Sequence, residues 1–170
     1  EDAYRHYLPF ATSAPEPRSL RKTPGLIVLV GKMQDRKRHR ESVQILKRLN
    51  DSCDVNFHAL IIGEASSDQQ IDYLQCLQQD VIQLGLTNYV TVRTNLEHSD
   101  VLLALGQAQI FFLFSEREPA SVSQVEAMAA GAIPVVGADN GTAGYLTDGE
   151  TGFVVADEHH APRIGAHRHV

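Results

Sequence analysis

Cysteine is nearly absent from this chain. Only Cys53 and Cys76 occur in 170 residues, with neither CxxC spacing nor histidine partners at metal-ligand intervals, which excludes a disulfide framework or a cysteine-based metal site. Both read as free thiols in a reducing compartment, and the expected location is cytoplasmic. Long apolar runs are missing too. None approaches the roughly 20 residues of a membrane span, and no signal peptide is visible. Positive charge is not in excess, since the formal net charge is −6, so the molecule as a whole attracts neither nucleic acid nor an anionic membrane. An initiator methionine is lacking, and a piece of a longer or processed protein is the expectation.

What is present is the composition of an ordinary globular domain, 43% hydrophobic and 21% charged, long enough to bury a real core without staples. Residues 1–24 hold four of the seven prolines and no periodicity, and read as an N-terminal arm or interdomain linker. From residue 25 the pattern becomes regular. GLIVLVG, FHALIIG, YVTVRTN, QIFFLFS, AIPVVG and GFVVA read as six strands. Between them stand helical patterns: RHRESVQILKRLN, a long segment from Asp68 to the closing Gly85, SDVLLALGQA with Ser99 as its cap, and PASVSQVEAMAAG. Buried strands alternating with helices predict an α/β fold, a doubly wound Rossmann-like parallel sheet over residues 25–156. Residues 157–170 read as a disordered tail, whose His159, His160, His167 and His169 need not bind metal. Ligands of such sheets bind beyond the carboxyl ends of the strands, so the loops there carry the functional reading.

The loop after the first strand, GKMQDRKRHR, lacks the further glycines of a dinucleotide fingerprint and is not a P-loop. It places five cations in the nine residues from Lys32 to Arg40, just where a helix N-terminus favours an anion. A phosphate-binding loop and a solvated charge run are both open. In the loop after the second strand, Glu64 reads as a surface carboxylate. After the fourth strand, SEREPASVSQVEAMAAGAIPVV holds two glutamates. Pro119 suits a first helical turn, so Glu118 falls at or just before a helix start and reads as a cap. Glu126 sits among small apolar residues that let a helix lie close to a sheet, so it is expected to be partly buried and to need a partner. Eight helical residues span about 12 Å, comparable to the reach from a ribose to a sugar across a diphosphate, and a carboxylate accepts readily from sugar hydroxyls. After the fifth strand, the NGTAG segment exposes backbone amides ahead of a short helix at Tyr145 and Leu146, either an anion site or a plain glycine-rich turn.

Together these stretches resemble a known family. EPASVSQVEAMAAGAIPVV is similar to the E-x7-E motif of retaining GT-B glycosyltransferases, the glycogen-synthase-like group classed as glycosyltransferase family 4. VGKMQDRKRHRESVQIL resembles that family's V-G-R-x4-K-G stretch, and LGLTNYVTVRTNLEHSDVLLALGQAQIFFLFS and NGTAGYLTDGETGFVV fall in family order. The likeness runs over about residues 25 to 155 and implies the donor-binding C-terminal half of a GT-B enzyme. It implies that Glu126 binds the ribose of a nucleotide-diphosphate sugar, UDP- or GDP-linked, and that Glu118 contacts the donor sugar near the reacting carbon. Lys32 and Lys37 would neutralise the diphosphate leaving group as charge grows on it. Gly31, Ser121, Val122, Gly141 and Thr142 would complete the donor-contacting set, with Thr94 and Asn95 near the base. Neither a metal nor another cofactor is implied.

The chain departs from the family pattern at three places. Lys32 stands for its arginine, which loses bidentate geometry. Ala120-Ser121 stand for its Phe-Gly, and Arg38 for its glycine. The resemblance also implies a glycan or lipid-linked acceptor held by an N-terminal domain that these residues do not supply, so this piece alone should transfer nothing. The full-length protein would be cytoplasmic, free or peripheral to a membrane. A GT-B sugar-nucleotide epimerase and a degenerate GT-B domain kept for protein contacts are the alternatives.

Overall fold

The computed structural model describes residues 21–156. The expected arm up to residue 20 and the expected tail with its four histidines lie outside the described residues. The elements follow in the order β1 Thr23–Val30, α1 His39–Ser52, β2 His58–Gly63, α2 Asp68–Gln83, β3 Val90–Thr94, α3 His98–Gln107, β4 Ala108–Leu113, α4 Val122–Ala129, β5 Ile133–Gly137 and β6 Phe153–Val155. Short 3-10 turns cover Asp35–Lys37 and Gly141–Tyr145, the second where a helix at Tyr145 and Leu146 is expected from the sequence.

All six strands are parallel, in the order β3-β2-β1-β4-β5-β6. β1 is central, and its Ile27 and Val28 are fully buried on opposite faces. One face packs Ile27, Leu29, Ile61 and Phe112 against Val43 and Leu46 of α1 and Tyr73 and Leu77 of α2. The other packs Val28, Phe111 and Val136 against Leu105 of α3 and Ala127 of α4. Small residues on α4 are what let it lie close to the sheet. Cover is incomplete, however. A groove of about 650 Å³ remains over β4 to β6 on the α1 face, with Ile110, Phe112, Phe114, Val135 and Val155 in its walls.

Helix starts follow side-chain chemistry, and two of them differ from the sequence reading. α2 begins as expected, with Ser67 and Gln70 forming a reciprocal capping box. Ser99 does not cap α3: the helix begins at His98, two residues earlier than that cap would give, after Glu97 and without a side-chain cap. α4 begins at Val122 rather than at Pro119, because the Ser121 hydroxyl accepts from the Gln124 amide at 3.2 Å. Glu118 therefore lies in the loop ahead of α4, in a parallel bridge with Asn140, and is no helix cap. Cys53 and Cys76 are exposed and unpaired. Among the described residues, no helix is long and apolar enough to cross a membrane.

At the amino edge of the sheet, Lys22 does the work of a shared C-terminal cap. Its Nζ donates to the carbonyl of Ala130, the residue ending α4, at 2.6 Å, and to Leu105 of α3 at 3.5 Å. A cation there opposes the partial negative charge of both helix ends, and burial holds its pKa below the usual lysine value. Replacing Lys22 with Met should lower unfolding stability by about 1 kcal/mol, read as a shifted urea midpoint. A loss no larger than that of Arg21→Met would mean that the ammonium contributes nothing there.

Candidate functional site

β1 and β4 are neighbours, yet the chain leaves β1 toward β2 and leaves β4 toward β5. Their following loops diverge and open a crevice at the carboxyl edge, the place where parallel sheets bind ligands. The first loop turns tightly against the sheet. Gly31 donates to the Ile62 carbonyl and Met33 to that of Glu64, both at 2.9 Å, and the Met33 side chain is fully buried. After the 3-10 turn, Arg38 takes a left-handed conformation with φ 52° and launches α1. Lys37 folds back over Gly31, where an added Cβ would lie 3.0 Å from Lys37 Cδ.

This return brings Lys37 to Glu118. One carboxylate oxygen, Oε2, accepts from Lys37 Nζ and also from Arg36 Nη1, the latter at 2.9 Å. The Glu118 and Lys37 side chains are only 8% and 11% exposed, whereas Arg36 is 43% exposed. Glu116 laces the loops further: its amide donates to the Arg36 carbonyl at 2.8 Å and its Oε1 pairs with Arg38 at 2.8 Å.

On its other side Glu118 is held through backbone. The Gly141 amide donates to the Glu118 carbonyl at 2.7 Å, and a side chain at Gly141 would collide with the Pro119 carbonyl. Behind this contact lies a buried polar hub. Gln124, fully buried, donates from Nε2 to the Thr142 carbonyl at 2.9 Å. Its Oε1 accepts from Asn140 at 2.8 Å and from the Thr142 hydroxyl at 2.6 Å. Each amide atom of Gln124 thus has a partner, as burial demands, and the hub fastens α4 to the loop after β5. Beside it an open concavity of about 470 Å³ is lined by Arg117, Glu118, Pro119, Asp139, Asn140 and Gly141.

Glu126 lies on the same helix and is 7% exposed, in accord with the burial expected from its neighbours. His98 Nε2 stands 3.1 Å from its Oε1, within ion-pair range but without hydrogen-bond alignment, so Oε1 is buried with no hydrogen-bond partner. Burial pushes the Glu126 pKa above the usual glutamate value, and His98 partly offsets that.

Of the residues implied by the resemblance, the fold brings Gly31, Lys37, Glu118, Ser121, Gly141 and Thr142 together around the crevice. Glu126 sits farther along α4, and Val122, the first residue of that helix, is 52% exposed. Lys32 does not reach Glu118. It pairs at 3.2 Å with Glu64, the expected surface carboxylate, and both are about half exposed at the rim. Thr94 ends β3. The Asn95 side chain is taken up with the backbone of Ala65, accepting from its amide at 3.0 Å and donating to its carbonyl at 3.3 Å. Among the described residues, no group of three or more His, Cys, Asp or Glu could hold a metal.

The sequence reading missed Gln124, Asn140 and His98, and left Arg36 as one charge among five. It also passed over His39, which supports the loop from below. The ring is 2% exposed, its Nε2 lies 3.2 Å from the Gly31 carbonyl, and its Nδ1 is buried without a partner. Burial lowers its pKa to about 4.

Comparison with known proteins finds a matching family model and matching solved structures. The model of the family described as Glycosyl transferases group 1 matches residues 12–163. Among solved structures, the C-terminal domain of the group 1 glycosyl transferase LpcC from Francisella tularensis superposes with a TM-score of 0.71 at 19% identity, over 81% of this chain and 70% of that one. Anabaena Alr3699/HepE, solved in complex with UDP and glucose, gives a TM-score of 0.68 at 20% identity, over 78% of this chain and 34% of that one. A glycosyltransferase from Rickettsia africae gives 0.70 at 19% identity, over 84% and 40%. The chain thus spans only a third or so of HepE. No match is found among curated proteins.

The buried imidazole predicts a pH dependence. A base whose pKa falls on folding leaves the unfolded chain holding more protons between the two values. Its stabilising effect is therefore complete above the unfolded pKa of 6.5 and is lost as pH falls toward the folded value of about 4. Over that window the loss should reach roughly 3 kcal/mol. Urea titrations from pH 7 to pH 4.5 should show a flatter profile for His39→Gln than for the parent, and parallel profiles would refute the assignment.

Proposed function

The chain belongs to the Glycosyl transferases group 1 family, and on that premise we propose that it is the donor-binding half of a retaining GT-B enzyme that transfers a sugar from a nucleotide-diphosphate sugar to an acceptor. The observation that carries this reading is the buried carboxylate pair, Glu118 and Glu126, on and before one helix at the switch point, with cations drawn from the facing loop. The Rossmann-like sheet is half of a GT-B fold. The acceptor, a glycan or a lipid-linked glycan, would be held by a second domain, and the described residues alone would transfer nothing.

In this reading Glu126 accepts from the ribose hydroxyls. Its Oε1 lies 3.1 Å from His98 Nε2 without a hydrogen bond, and a carboxylate accepts readily from two adjacent hydroxyl donors. Glu118 accepts from the sugar. As the bond from the anomeric carbon to the diphosphate breaks, negative charge builds on the departing phosphate oxygen, and Lys37 and Lys32 stabilise it. The Gly141 and Thr142 amides already donate to the Glu118 carbonyl and to Asn140 Oδ1, so these two residues act by shaping the wall beside Glu118, while Ser121 fixes the start of α4. Thr94 and Asn95 flank the base. Asn95 does so mainly by shaping the loop, since its side chain already serves Ala65. UDP is the leading nucleotide, because HepE was solved with it, and GDP is the alternative. No metal takes part.

Titration of UDP and GDP followed by NMR should perturb Gly31 to Lys37 and residues near Glu126. Perturbations confined elsewhere would sink the site. Glu126→Gln should separate binding from stability. Because burial raises its pKa, ionised Glu126 costs folding stability as pH rises above the unfolded value. The variant should therefore melt no lower than the parent at pH 8 while binding nucleotide at least about tenfold more weakly, the loss of a charged hydrogen-bond acceptor. Unchanged affinity would remove Glu126 from the site.

A further inference from the structure

Glu126 finds no donor on its own helix. Its neighbours Val125, Ala127, Met128, Ala129 and Ala130 carry no polar side chain. Ser123, about one turn back, has its hydroxyl engaged with Ser121 Oγ at 3.1 Å, and Gln124 is committed to Asn140 and Thr142. The Glu126 side chain is only 6% exposed, so water supplies little. An ionised carboxylate so placed is unfavourable without a donor, and the alternative is to take up a proton. A protonated carboxyl turns one acceptor oxygen into a donor and then accepts less well from a pair of hydroxyls.

The partner comes from a different element. His98 is the first residue of α3, the helix that follows β3 and shares the grip of Lys22 with α4. Its Nε2 stands 3.1 Å from Glu126 Oε1, already a hydrogen-bond distance, and a turn of the ring supplies the alignment. Among the described residues, His98 is the titratable group that acts on this carboxylate, and it favours the ionised form against the effect of burial. The two ends of the contact are unequal, since His98 is 54% exposed. An ion pair with one end in water contributes little to folding, so stability alone gives this contact little purpose. His98 also stands three residues after Asn95 in sequence, between the loop assigned to the base and the carboxylate assigned to the ribose.

We propose that His98 is a positioning residue for Glu126: its Nε2–H holds Oε1 and leaves the rest of the carboxylate to accept from the ligand, so that His98 sets how strongly the domain prefers a nucleotide bearing both ribose hydroxyls. This inference rests on the donor-binding reading above and deepens it by naming what keeps the ribose acceptor ionised and aimed. The imidazole offers that N–H both when protonated and as the neutral Nε2–H tautomer. A glutamine at the same position carries an N–H donor of similar reach, whereas an alanine carries none.

The test is calorimetric titration, at neutral pH, of UDP, GDP and their 2′,3′-dideoxy counterparts into the parent and into His98→Ala, His98→Gln and Glu126→Gln. The parent should bind the better ribonucleotide at least about tenfold more tightly than its dideoxy form, the effect of hydrogen bonds to a charged group. His98→Ala should bind the ribonucleotide about fivefold more weakly and the dideoxy form as the parent does, so the preference shrinks. His98→Gln should keep most of the preference, and Glu126→Gln should lose it. Because the ring is half exposed, both His98 variants should melt close to the parent, which separates a lost contact from a lost fold. A parent-like preference in His98→Ala, an equal loss of both nucleotides, or a His98→Gln as impaired as His98→Ala would overturn the role of His98 and leave the donor site standing. A parent without the preference, a Glu126→Gln that keeps it, or failure of the parent to bind either nucleotide at millimolar concentration would overturn the ribose reading of Glu126 and this inference with it.

Discussion

The divergence of the chain after β1 and β4 is the constraint on which the rest of this domain depends. Two adjacent parallel strands whose continuations run to opposite sides cannot close the space above them. The loop from Gly31 to Arg38 and the loop from Phe114 to Ser121 therefore meet each other above the strand ends, and each needs a partner for its buried polar groups. Glu118 answers for one side, and Lys37 and Arg36 for the other. The backbone contact from Glu116 to Arg36 then fixes how far apart the loops stand.

The second requirement is that α4 hold its start against the loop after β5. The hub of Gln124, Asn140 and Thr142 does this inside the protein, with every amide atom of Gln124 partnered. A hub of this kind tolerates little change. Removing one member leaves the others buried without partners, at a cost of about 1–3 kcal/mol for each stranded group. Gly141 matters for a different reason, since the approach of its amide to the Glu118 carbonyl leaves no room for a side chain. Both features position Glu118 without touching its carboxylate.

Much of this was legible in the residues. Unbroken β-branched runs with helical patterns between them are the mark of a buried parallel sheet, and all six strands appeared where those runs stand. The small residues around Glu126 announced its burial. Other features were hidden for physical reasons. Pro119 is a favourable first helical residue, but the chain there is committed to pairing with Asn140 and Gly141, so the helix waits for the Ser121 hydroxyl. Gln124 carries no periodic signal, and its role exists only because residues 140–142 come to lie over it. The run from Lys32 to Arg40 gives a count of charges, whereas the 3-10 turn decides which of them point into the crevice. Hence Arg36 and Lys37 reach Glu118 and Lys32 does not.

Lys22 stands one residue ahead of β1 and grips the last carbonyl of α4. That helix is eight residues long, about 12 Å from end to end. One end is thus tethered to the incoming chain and the other carries the turn next to Glu118, with Glu126 between them. The residue that leads the chain into the central strand is therefore also an anchor of the helix that carries Glu126, so the first strand and the carboxylate share one fastening point.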